Sequence, residues 1–178
     1  MIELEPLKRS DLPLLASWGG PPEFLIQWAG PIFDHPLDEK QLEKYFDAME
    51  ANPSVRKMYR AVPVGLGEMV GHIELDRINP KTGSAIAEHV IVGDPAMRGK
   101  GVGGLMMKKI FEVGFGQLGL HRISLFVYDF NHSAIACYEK AGFVKEGLLR
   151  EAVRVGNQYR SVYLMSILEQ ELRSSNES

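Results

Sequence analysis

Four glycines within six residues (Gly99, Gly101, Gly103 and Gly104) constrain this 178-residue chain more than any other feature. An apolar run, Val90-Ile91-Val92, leads into them through a short turn at Asp94-Pro95, and Arg98 and Lys100 lie among them. Beyond them, Val102, Leu105, Met106, Ile110 and Val113 repeat with the spacing of one helix face. The order is strand, glycine turn, helix. A helix N-terminus presents backbone N–H groups that have no acceptor within the helix and carries about half a positive charge. Glycines let an anion approach those groups without a Cβ in the way. The stretch therefore reads as a nucleotide or phosphate-ester site.

Three phosphate motifs compete for these residues. A P-loop needs four residues between its first glycine and the Gly-Lys pair, then a metal-ligating hydroxyl. Here five residues separate Gly93 from Gly99, and Gly101 follows the lysine. The dinucleotide pattern GxGxxG is present as Gly99, Gly101 and Gly104, and Asp129 ends the next apolar run where a ribose-binding acid belongs. Yet about 75 residues follow, too few for the repeated βαβ units of that fold. The run Arg98-Gly99-Lys100-Gly101-Val102-Gly103 matches R/Q-x-x-G-x-G/A. With Asn131, Tyr138, Gly142-Phe143 and Glu146-Gly147 downstream, the chain resembles the GCN5-related N-acetyltransferases over residues 68–168. Within that superfamily it is most similar to the group containing the ribosomal-protein N-terminal acetyltransferases.

The composition permits such an enzyme and disfavours other classes. Apolar residues make up 45% and charged residues 24%, which is ordinary for a globular domain. A single domain over residues 1–170 with a polar, frayed tail over 171–178 is expected. A net charge of −3 without a basic block indicates neither nucleic acid nor a membrane surface as partner. The single cysteine, Cys137, fits a reducing, cytoplasmic setting. Five histidines show no paired metal-ligand spacing, so no metal is expected.

Taken in order, residues 1–7 read as a first strand, and Ser10-Asp11 introduce a helix through Leu12, Leu15 and Trp18. Gly19-Gly20-Pro21-Pro22 ends it, and residues 22–37 read as irregular, with Phe24, Trp28 and Phe33 as core filler or as a lip over an acceptor pocket. Residues 38–49 read as a helix. Strands at 58–62, 69–78 and 84–92 form an antiparallel meander. Strand 123–128, helix 133–140 ended by Gly142, and a hairpin of strands 143–153 and 159–168 around Gly156-Asn157 complete the chain. The fold class is α/β (α+β): a mixed, mostly antiparallel sheet with flanking helices and one βαβ unit across the glycine loop. The resemblance implies that the two central strands part at their carboxyl ends to admit a pantetheine arm.

Acetyl-CoA is the implied acyl donor. Backbone groups of Gly99, Lys100, Gly101, Val102, Gly103 and Gly104 would hold its pyrophosphate, with Arg98 and Lys100 adding charge. By resemblance, backbone groups of Val90, Ile91 and Val92 pair with the arm, Asn131 contacts it, and Tyr138 returns a proton to the departing thiolate. Asn131 also suits a helix N-cap. A phenol titrates near 10 and a thiol near 8.5, so that transfer is uphill by only about 2 kcal/mol. Glu88 is the first candidate base for the amine, with Glu74, Glu68 and His89 as rivals. Strand parity gives Glu88 and Val90 one face and His89 the other. The expected reaction is direct transfer to a primary amine, either a protein N-terminus or a small molecule. Acidic residues Glu23, Asp34, Asp38 and Glu39 would suit a cationic acceptor. A non-catalytic acyl-CoA-binding module is the alternative, and oligomeric state stays open, a homodimer included.

Overall fold

The computed structural model describes residues 1–176, with side chains described through residue 172. Strands β1 (Ile2–Pro6), β2 (Lys57–Pro63), β3 (Gly71–Asn79), β4 (Ser84–Val92), β5 (Arg122–Tyr128), β6 (Val144–Val155) and β7 (Gln158–Leu168) form one sheet in the order β1-β2-β3-β4-β5-β7-β6. Its neighbours are antiparallel except β4 and β5, which are joined by α4 (Val102–Phe111) in a parallel βαβ unit. The expected mixed α/β sheet is the one observed.

Helices cover both faces of the β2–β4 region. On one face Met106, Met107, Ile110 and Phe111 of α4 bury against Ile73, Leu75, Ile123 and Leu125. On the other, α1 (Leu12–Ser17) and α3 (Glu39–Ala51) place Leu12, Leu15, Leu42 and Phe46 over Met58, Met69 and Ile91. Met58 and its neighbour Tyr59 enter opposite clusters, as a pleated strand requires. Each large apolar side chain buried this way contributes about 1.5–3 kcal/mol.

Local signals set most boundaries. The Asp38 carboxylate accepts from Gln41 N at 2.9 Å and starts α3. Gly142, at φ 107°, ends α5 (His132–Ala141). Gly156, at φ 59°, begins the β6–β7 reversal. Two expectations fail. Residues 22–37 are not irregular throughout, because Pro22 opens α2 (Pro22–Ala29) at a first-turn position where proline's missing N–H costs nothing. Leu25 and Ala29, one turn apart, are that helix's buried face. The polar tail instead continues from β7 as α6 (Glu169–Asn176), while residues 177–178 lie outside the described residues.

The feature that makes a site is where β4 and β5 stop pairing. Their ladder runs only from Ser84↔Arg122 to Ile86↔Ser124. β4 continues to Val92 and β5 to Tyr128, so the two strands diverge toward their carboxyl ends. A crevice opens where parallel α/β sheets hold ligands.

Candidate active site

The glycine loop sits at one end of that crevice. Gly99 and Gly101 hold left-handed φ values of 72° and 78°, which a Cβ would strain. Gly101 is the N-cap of α4, and its carbonyl accepts from Leu105 N at 3.1 Å. The N–H groups of Val102, Gly103 and Gly104 fall in the first turn, without intrahelical acceptors. A Cβ on Gly103 would lie 3.3 Å from Cys137 Sγ, so the glycine lets α4 approach α5 closely. Arg98 donates through Nε to Val92 O at 2.9 Å and through Nη2 to Gly93 O at 3.2 Å. Its guanidinium thus ties the loop to the end of β4 as well as adding charge. Lys100 stands exposed on the turn.

A cavity of about 920 Å³ runs from this loop along the gap. It brings together Arg98, Gly99, Val90, Ile91, Val92, Asn131, Tyr138 and Glu88, eight of the residues singled out from sequence. Lys100, Gly101, Val102, Gly103 and Gly104 lie outside its lining, on the loop and helix start beside Gly99. Asn131 caps α5, its Oδ1 accepting from Ala134 N at 3.3 Å and leaving the amide N–H groups for a ligand. Tyr138 packs its ring on Phe143 at 6.0 Å, and among the described residues its hydroxyl has no hydrogen-bond partner. Burial pushes the phenol above its usual range, which keeps its proton in place at neutral pH. Cys137, one residue before Tyr138 on α5, also lines the cavity; burial raises its thiol and makes it a poor nucleophile.

The far end is shaped by a bulge that parity reasoning missed. Between the pairs His72↔Ile91 and Glu74↔Glu88, β4 carries one more residue than β3, and His89 there has φ 51°. Glu88, His89 and Val90 consequently all border the cavity, instead of alternating across it. Burial lifts the Glu88 carboxyl above the ordinary range, which favours proton acceptance. Behind it lies a buried network. Glu74 accepts from His72 Nε2 at 2.8 Å and from Tyr45 OH at 2.9 Å, and pairs with His89 Nδ1 at 3.1 Å. Burial works against the Glu74 charge, but His89 and His72 outweigh it and hold the carboxyl below its usual range. His89 is raised in turn: the Glu74 charge overcomes the effect of burial. Of the rival bases, Glu74 is committed to these partners, and Glu68 is not among the lining residues. Trp28 lines the cavity and donates from Nε1 to His89 O at 3.0 Å, so the aromatic segment does form a lip. Tyr45, Arg56 and Arg77 also border the site. Nothing in their sequence spacing marks them, because each arrives from a separate element.

A sheet parted at its parallel pair, with a helix N-terminus at one end of the gap and a phenol and a carboxylate farther along, defines an acyltransferase site for a phosphorylated thioester donor. The chain belongs to the acetyltransferase (GNAT) family, whose model matches residues 23–143, and it is an acetyl-CoA-dependent N-acetyltransferase. It is 28% identical over 177 residues to the spermidine N(1)-acetyltransferase of Vibrio cholerae, covering 99% of this chain and 98% of that protein. The Escherichia coli K12 spermidine N(1)-acetyltransferase is 30% identical over 169 residues, covering 94% of this chain and 86% of that one. The crystal structure of the Vibrio cholerae enzyme with CoA and spermine superposes with a TM-score of 0.83 at 26% identity, covering 96% of each chain. These findings correct the expected affinity with the N-terminal acetyltransferase group, from which the RimI protein of Mycobacterium tuberculosis matches only half of this chain. They also favour an enzyme over a non-catalytic binding module. Among the described residues, no helix is long and apolar enough to cross a membrane.

Proposed function

We propose that this chain acetylates a small-molecule primary amine by direct transfer within a ternary complex. The observation that carries the reading is the single cavity joining the glycine-loop end at Gly99 to Glu88 and Tyr138, so donor and acceptor share one space. The pyrophosphate of acetyl-CoA lies on the N–H groups of residues 99–104, and the arm runs beside Val90, Ile91 and Val92, where β4 has lost its β5 partner. The amine nitrogen attacks the thioester carbon, and the carbon–sulfur bond breaks with its electron pair on sulfur. Tyr138 gives that sulfur its hydroxyl proton, and Glu88, directly or through water, takes the proton released by nitrogen. The half-buried thiol of Cys137, raised by that burial, supports direct transfer over an acyl-cysteine route. Relatives named for spermidine make it the first acceptor to assay.

The test is initial-rate kinetics of thiol release with varied acetyl-CoA and varied amine, with the acetylated amine identified by mass spectrometry. Intersecting double-reciprocal lines, retained by Cys137→Ala, are expected. Parallel lines together with an acetylated enzyme would sink the ternary route.

A further inference from the structure

Among the described residues, three non-glycine residues have left-handed φ values: Arg77 at 50°, His89 at 51° and Glu151 at 51°. Each sits in a bulge. β3 gains a residue between Asp76 and Asn79, β4 gains one at His89, and β6 gains two between Leu149 and Val153. All three bulges border the same cavity, which Arg77, His89, Leu149 and Val153 help to line. Strained backbone of this kind collects at functional sites, and here it marks the acceptor end.

The charges at that end follow a pattern. The carboxylates there are already engaged: Glu74 pairs with His89 and accepts from His72, Asp76 has Arg56 at 2.7 Å, and Glu88 faces the reacting nitrogen as its base, with Arg77 no nearer than 3.9 Å. The acidic residues that sequence reading offered to a cationic acceptor do not line the cavity, and Asp38 is spent as a helix cap. A polyamine keeps further ammonium charges after its reacting nitrogen loses a proton, and among the described lining residues no carboxylate beyond Glu88, which serves the reacting nitrogen, and Asp76, which is paired with Arg56, remains for them. Arg77 is the reverse case. Its side chain is 68% exposed, and its contact with Glu88 is too long for a hydrogen bond, so its guanidinium donors remain available. Arg56, by contrast, is bonded to Asp76 and lies over the Tyr45 ring.

We propose that the acceptor is a primary monoamine carrying a carboxylate, and that Arg77 is the residue that reads the carboxylate. This rests on the N-acetyltransferase reading above and names its substrate class. A planar guanidinium matches a carboxylate in paired hydrogen bonds, while Trp28 and Phe126 supply apolar walls for the skeleton between the two ends.

The experiment compares thiol release from acetyl-CoA with spermidine, an unsubstituted alkylamine and an amino acid, for the parent, Arg77→Ala and Arg77→Glu. The parent should favour the amino acid over both other amines by about tenfold or more in kcat/KM. Arg77→Ala should raise its KM by a similar factor, with a smaller change in kcat through the nearby Glu88, while acetyl-CoA affinity and melting temperature hold. Arg77→Glu should move the preference toward spermidine. A parent that prefers spermidine or the plain alkylamine, or an amino-acid KM indifferent to Arg77→Ala, would overturn the Arg77 assignment and leave the enzyme class standing. Absence of turnover with every amine would overturn both.

Discussion

Replacing Glu74 with glutamine removes one charge from the most buried polar network in the molecule and leaves its shape almost unchanged. Glu74 is 1% exposed, as is His72, and its carboxylate serves His72, His89 and Tyr45 at 2.8–3.1 Å. Breaking a buried ion pair from one side costs about 3–5 kcal/mol, because the remaining charge loses its partner without regaining water. For a chain of this size that corresponds to a melting temperature lower by roughly 6–20 °C. The pH dependence has a definite sign. Glu74 is depressed in the fold, so its contribution is present above the unfolded value of about 4.3 and is lost as pH falls through the folded value. His89 is raised, so its contribution is complete below about 6.5 and is lost as pH rises through its folded value. The gap between parent and Glu74→Gln is therefore widest between about pH 4.3 and 6.5 and narrows on the alkaline side. Thermal unfolding followed by circular dichroism across that range measures it. A gap below about 2 °C near pH 5.5, or one that widens with alkali, would refute the ion-pair account.

Two further substitutions probe the donor side. Tyr138→Phe keeps the ring against Phe143 and removes only the hydroxyl, so kcat should fall by about 10²-fold or more while calorimetric acetyl-CoA affinity stays within about twofold; equal loss in both would deny Tyr138 the acid role. Gly101→Ala places a Cβ at φ 78°, at a strain of about 1–2 kcal/mol, beside the donors proposed to grip phosphate; acetyl-CoA should bind at least about tenfold more weakly, and unchanged affinity would remove the loop from cofactor binding.

The donor half of the site is legible in the chain because it is local. A phosphate cradle needs a strand, a glycine turn and a helix start in succession, and Val90 to Gly104 supplies all three within fifteen residues. The N-cap at Asn131 and the end of α5 at Gly142 are likewise short-range devices. Helix α2 escapes notice because a proline pair reads as a stop, although the second proline is compatible with a first turn. The acceptor half is not local. His89 reaches the cavity only because β4 carries one residue more than its partner β3, a mismatch that exists only once the two strands are paired. Glu74, Tyr45 and His89 meet from a strand, a helix and a neighbouring strand. Sequence by itself therefore placed the proposed phosphate cradle and the succession of strands around it. Only the tertiary structure decided which charges meet at the far end, because register and bulges are properties of paired strands and not of either strand alone.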